Sequence, residues 1–187
     1  MVKDYFCKSL EITKKIIEDD AFCLLIDYIA NICIDAYRND KKILVCGNGG
    51  SASDALHMTG ELVGRFQKER KGIPAIALNE NIAVMTALAN DYSYDQIFQK
   101  QVVAYGKTGD ILIGISTSGS SVNIVNAIIQ AKKMGIKTIG MTGESGGKMK
   151  GLCDCLLNVP SSETAHIQEI HICIIHVLCK IIEEKLF

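Results

Sequence analysis

Two short stretches of this 187-residue chain are dense in the residue types that hold anions. Gly47-Asn48-Gly49-Gly50-Ser51-Ala52-Ser53 follows the apolar run Ile43–Cys46, and Ser116-Thr117-Ser118-Gly119-Ser120-Ser121 follows Ile111–Ile115. Glycines let backbone N–H groups close on a phosphate, and a helix N-terminus adds favourable dipole charge. Tight turns and helix caps draw on the same residues, and Ser51 and Ser121 would serve as N-caps. The second stretch nevertheless carries five hydroxyls in six residues, more than capping requires. A phosphorylated ligand at the two loops is the expectation. The first stretch also matches the G-x-G-x-x-A of dinucleotide sites, which want an acidic residue about 20 positions on, at the end of the second strand. That segment here ends Leu78-Asn79-Glu80, with Glu80 too late, so a nucleotide-dependent oxidoreductase is the weakest reading.

His57 and Glu61 stand four residues apart on the helix expected after the first loop, hence on one face. A metal pair, an acid/base pair and a plain surface ion pair all use that spacing; nearness to the loop favours chemistry. Three of the four histidines, His166, His171 and His176, crowd into eleven residues near the C-terminus. His176 lies between apolar neighbours and reads as buried, with His166 and His171 on other faces, toward solvent or an interface. Gln168 and His176 are eight residues apart, about 12 Å along one helix. If both serve one site, a second copy of the helix at a subunit interface is expected.

The elements that must position these groups follow from hydrophobic periodicity. Residues from about Asp4 to Tyr37 read as two helices, broken at Asp19-Asp20, with Asp20 the expected N-cap of the second. Short continuous apolar runs then alternate with helical stretches. Strands are expected at Ile43–Cys46, Pro74–Leu78, Asp110–Ile115, Lys137–Met141 and Cys155–Val159. Helices are expected at Ser51–Phe66, Ile82–Ala89, Tyr94–Tyr105, Ser121–Met134 and Thr164–Glu184. Continuous apolar strands imply burial on both faces, hence a parallel sheet in a doubly wound α/β domain. One domain over residues 1–187 is expected.

Bulk properties exclude several classes. Twenty basic against 21 acidic residues give no field for nucleic acid or an anionic membrane. The start shows no signal peptide, and runs such as Ile111–Ile115 are too short to span a bilayer, so no membrane association and a cytoplasmic location are expected. Of eight cysteines, Cys7, Cys23, Cys33, Cys46, Cys173 and Cys179 lie in apolar periodic segments and read as reduced core thiols. Cys153-Asp154-Cys155 is too closely spaced for a redox C-x-x-C or a zinc finger.

The runs CGNGGSASDALHMTGELVGRF, NDYSYDQIF, GISTSGSSVNIVNAI and AHIQEIHICIIHVL, in this order, resemble the phosphoheptose isomerase (sedoheptulose 7-phosphate isomerase) family of sugar isomerase (SIS) domains, from about residue 40 to 187. The resemblance implies a flavodoxin-like three-layer sandwich with a five-stranded parallel sheet, assembled as a homotetramer with sites between subunits. It implies conversion of sedoheptulose 7-phosphate to D-glycero-D-manno-heptose 7-phosphate, in heptose precursor synthesis for surface polysaccharide. Carried onto this sequence, it places substrate and phosphate at Asn48, Gly49, Gly50, Ser51, Asn90, Asp91, Ser116, Thr117, Ser118, Ser121 and Gln168. It places one zinc per subunit on His57, Glu61, Gln168 and His176, and the acid/base pair on Glu61 and His176. Whether Glu61 is ligand, base or both stays open. Where many members read Arg-Ile-Gln-Glu, this chain has His166-Ile167-Gln168-Glu169. The alternative is a non-catalytic SIS-domain protein, either a phosphosugar sensor or a replication-initiation scaffold. The joint presence of His57, Glu61, Gln168 and His176 argues against it.

Overall fold

A computed structural model describes all 187 residues. Helices α1 (Val2–Ile17) and α2 (Asp20–Arg38) precede an alternating series: β1 (Ile43–Gly47), α3 (Gly50–Val63), β2 (Ala75–Ala77), α4 (Ile82–Asp91), α5 (Ile97–Tyr105), β3 (Ile111–Ile115), α6 (Val122–Lys133), β4 (Lys137–Thr142), β5 (Cys155–Asn158) and α7 (Thr164–Leu186). The N-cap of α2 is Asp19 rather than the expected Asp20. Asp19 keeps a non-helical backbone, so its carboxylate can turn back and accept the Phe22 N–H at 3.0 Å.

All strand pairs are parallel, in the order β2-β1-β3-β4-β5. This is the flavodoxin-like order, and the direction of winding reverses between β1 and β3. Ligands of such sheets bind beyond the carboxyl ends of the strands at that reversal. Those strands feed the two small-residue loops. Every residue of β1 and β3 is buried, because successive side chains enter opposite cores. Ile43 and Val45 pack beneath α2, α3 and α7, whereas Leu44 and Cys46 pack beneath α5 and α6.

Helix α7 has the length and hydropathy of a membrane span, but half of that stretch is buried in the protein's own core. It packs between α2 and α3 on the sheet, a role that also demands apolar side chains. Not all the core assignments of cysteine hold. Cys33, Cys46 and Cys179 are buried, but Cys7, Cys23 and Cys173 are exposed, and all eight are free thiols. The three exposed ones lie on helix faces that nothing in this chain covers. The same holds for Phe6, Leu10 and Ile17 on α1, exposed at 68–69 %, whereas α4 rests Met85, Leu88 and Ala89 half-buried on the core and leaves Ile82 exposed.

Candidate active site

The first loop enters α3 through Gly49, whose φ of +57° favours glycine. Gly50 opens the helix, and a Cβ there would collide with the Gln168 amide at 2.6 Å. Ser51 does not cap α3 as its type allows. It lies inside the first turn, buried, while Gly49 takes the cap position without a side-chain bond. The N–H groups of Ser51, Ala52 and Ser53 bond to the Asn48 and Gly49 carbonyls at 3.0–3.3 Å, and the positive end of the helix dipole at this glycine-rich turn suits an anion.

The second loop departs from capping too. Ser121 precedes α6, yet makes no cap bond; its Oγ faces Ser116 Oγ at 3.0 Å, and Ser118 Oγ lies 3.5 Å from Ser116. Thr117 is half-buried and Ser118 exposed. A pair of amides joins the two loops: Asn48 Nδ2 donates to Asn123 Oδ1 at 2.9 Å, and Asn123 Nδ2 returns a bond to Asn48 Oδ1 at 3.0 Å. Tyr94 Oη also donates to Asn48 Oδ1, at 2.9 Å. No local pattern marks Asn123 or Tyr94 as site residues, since contacts between distant loops follow no local spacing. Asn79 stands where a dinucleotide site would carry its acid. Its amide instead bonds the Gly47 backbone, accepting from N–H at 3.2 Å and donating to C=O at 2.8 Å.

Further along α3, His57 and Glu61 meet His176 from α7. His57 Nε2 lies 3.2 Å from Glu61 Oε1 and 3.4 Å from His176 Nε2. One ligand atom from each of the three falls within 4.8 Å of the others, so the group can hold a metal ion. Tetrahedral ligands at about 2.0–2.1 Å from zinc stand about 3.3 Å apart, and the two measured separations match that edge. His57 and His176 pack edge to face with centroids 5.1 Å apart, and the Phe66 ring lies 5.9 Å from His176. Asp54, on the same helix, has a buried oxygen without a partner, and burial raises its carboxyl above the ordinary range against the pull of His57.

The structure divides the expected residues into two groups. His57, Glu61 and His176 converge within one chain, so His176 reaches the group without a second subunit. Gln168 does not join them: its amide sits at Gly50, about 10 Å along α3 from His57. Asn90 and Asp91 close α4, exposed, bonded to each other at 2.9 Å and to neither loop. Among the histidines of α7, burial is the reverse of expectation: His176 is half-exposed, whereas His166 and His171 are buried. His166 Nδ1 lies 3.1 Å from Ser9 Oγ and 3.3 Å from Glu169 beneath the Tyr5 ring, which makes it a docking point for α1. His171 Nε2 lies 3.3 Å from the Thr142 carbonyl, and burial lowers its pKa to about 4.

A model of the SIS domain matches residues 4–143. The phosphoheptose isomerase of Clostridium acetobutylicum is 51 % identical over 179 residues, covering 96 % of this chain and 91 % of that protein. That of Sulfurimonas denitrificans is 47 % identical over 186 residues, covering 100 % and 95 %. Among solved structures, a phosphoheptose isomerase from Francisella tularensis superposes with a TM-score of 0.94 at 40 % identity, over 98 % of this chain and 96 % of that one.

Proposed function

The chain belongs to the phosphoheptose isomerases, enzymes built on the SIS domain, and we propose that Glu61 and His176 carry its proton transfers while the two loops hold the substrate phosphate. The reaction is ketose–aldose isomerisation of sedoheptulose 7-phosphate to D-glycero-D-manno-heptose 7-phosphate, in the supply of heptose for lipopolysaccharide and other surface polysaccharide. The observation that carries the assignment of roles is the meeting of His57, Glu61 and His176 two helical turns beyond an anion-ready loop on the same helix.

The chemistry needs a proton moved from C1 to C2 through an enediolate, and a second proton moved between the two oxygens. Glu61 takes the C1 proton and returns it to C2. One of its carboxylate oxygens faces His57, and the other makes no hydrogen bond within the chain. His176 gives a proton to O2 as the enediolate forms and receives the O1 proton as the aldehyde closes. An imidazole can do both, since its ring nitrogens serve as donor and acceptor in turn. His57, Glu61 and His176 would hold a zinc ion, one per subunit, which when bound polarises the substrate carbonyl. Gln168, seated at Gly50, contributes to substrate binding from the phosphate end. It joins the metal shell only if substrate or a partner subunit draws it there. Ser51, Ser116, Thr117, Ser118 and Ser121 bind phosphate with the backbone of Asn48, Gly49 and Gly50, and Asn90 and Asp91 line the sugar.

We place the enzyme in the cytoplasm as a homotetramer of single-domain subunits, with sites near subunit contacts. The uncovered apolar face of α1, with Ile82 at the start of α4, supports assembly, because an exposed apolar surface of this kind is what subunit contacts bury. Purified protein supplied with zinc and sedoheptulose 7-phosphate should approach a fixed ketose–aldose ratio. Inert protein would overturn the assignment.

A further inference from the structure

We propose that Arg70 and Glu183 are positioning residues whose buried ion pair sets the separation between Glu61 on α3 and His176 on α7. The proposal rests on the roles given to those two residues above. Neither Arg70 nor Glu183 touches substrate-facing atoms. Both side chains are 2 % exposed, and Arg70 Nε donates to Glu183 Oε1 at 3.0 Å.

The remaining bonds of the pair run to the two sides of the reacting group. The guanidinium closes the C-terminal end of α3, donating to the carbonyls of Glu61 at 2.7 Å, Leu62 at 2.7 Å and Gly64 at 3.0 Å. These are the carbonyls that a helix end leaves without partners, and Arg70 satisfies them in place of a left-handed glycine cap. One of them is the backbone of Glu61 itself. The Glu183 carboxylate accepts the N–H groups of Phe66 at 3.1 Å, Gln67 at 2.8 Å and Lys68 at 2.9 Å. It thereby pins the turn that lays the Phe66 ring against His176. Glu183 follows His176 by two turns on α7, so both leave nearly the same face of that helix. Burial alone would raise the Glu183 carboxyl, but its three backbone donors and Arg70 outweigh that and hold it below the ordinary range.

A buried ion pair is a weak source of net stability, since desolvation offsets most of its attraction. What it supplies well is directed geometry. Here the pair ties the end of α3 and the turn after it to α7, between two helices whose side chains must meet within a few tenths of an ångström. Misplacement of about 1 Å in such a group lowers turnover about 100-fold.

The test compares Glu183→Gln and Arg70→Lys with wild type and with Ile128→Val, a substitution in the opposite core. Turnover of sedoheptulose 7-phosphate and zinc affinity, by competition with a chromophoric chelator, are both read. Glu183→Gln should lower kcat and zinc affinity about 10- to 100-fold, with KM within about threefold, because the phosphate loops lie at the other end of α3. Ile128→Val should lower Tm and leave kcat and affinity unchanged. Folded Glu183→Gln with wild-type kcat and zinc affinity would overturn the proposal, as would equal losses in Ile128→Val at a matched drop in Tm. Should Glu183→Gln not fold, Arg70→Lys decides on the same two readouts, since an ammonium keeps the charge but not the fork. Inert wild-type protein would count against the isomerase assignment alone. The zinc affinities then judge the clamp by themselves, and equal values in wild type and variants would overturn it.

Discussion

His57 Nε2 and His176 Nε2 lie 3.4 Å apart although 119 residues separate them in the chain. Helices α3 and α7 bring them together by running parallel: Gly50 meets Gln168 at one level, and His57 meets His176 two turns on. The phosphate end and the proton-transfer end of the proposed site are thereby carried by the same two helices, and their functions separate by substitution.

At the proton-transfer end, Glu61→Gln should lower kcat about 100- to 10,000-fold with KM little changed. The side chain is 23 % exposed and bonds only His57, so the variant should fold and melt near wild type. Steady-state kinetics with a thermal melt checks both. Unchanged turnover would remove Glu61 as the base.

At the phosphate end, Ser121→Ala removes the hydroxyl that faces Ser116 and makes no cap bond. KM for the sugar phosphate should rise about tenfold, equivalent to about 1.4 kcal/mol, with kcat nearly preserved. Inorganic phosphate should inhibit wild type competitively, and the variant more weakly.

Metal binding by His57, Glu61 and His176 can be measured without turnover. Dialysis against a chelator followed by titration should return about one zinc per chain. His57→Ala should lower the affinity by tenfold or more, because three protein ligands become two. Zinc binding unaffected by His57→Ala would place the metal elsewhere.

His171 supplies a pH dependence of stability. Its folded pKa of about 4 lies below the unfolded value near 6.5, so the unfolded chain binds the proton more readily. The associated stability is fully present above pH 6.5 and is lost as pH falls toward 4, on the order of 3 kcal/mol. Denaturant unfolding across that range measures it. His171→Gln, which can still donate to Thr142, should flatten the slope.

The alternating order of elements, the parallel sheet and the place of both small-residue loops at strand ends are legible in the sequence, because each rests on a local pattern. Which face of α7 turns inward is not. Apolar residues occur all round that helix, so periodicity does not single out the core side, and His176 reads as buried while His166 and His171 read as exposed. Their true burial depends on α1, which covers His166, and on β4, whose Thr142 carbonyl meets His171. The capping expectation for Ser51 and Ser121 fails for a related reason. Local propensity names good capping residues, but Ser51 falls inside the first turn of α3 and the Ser121 hydroxyl turns to Ser116.

The apolar faces of α1 bear on assembly. Joint Phe6→Asp and Leu10→Asp should shift the protein to smaller species in light scattering without loss of helix content, since both side chains are 68–69 % exposed in the single chain. A fully active monomer would show that the site needs no partner.

One consequence of α3 concerns selectivity. With the phosphate at its first turn, as proposed, His57 stands seven residues later, so the interval between the two ends is fixed by hydrogen-bonded backbone at about 1.5 Å per residue. The helix is a ruler graduated in residues. Removing one carbon from the sugar shortens the ligand by close to one graduation, which withdraws the carbonyl from Glu61 while the phosphate stays seated. Chain length is then judged by a rigid gauge, before any hydroxyl between the two ends is read.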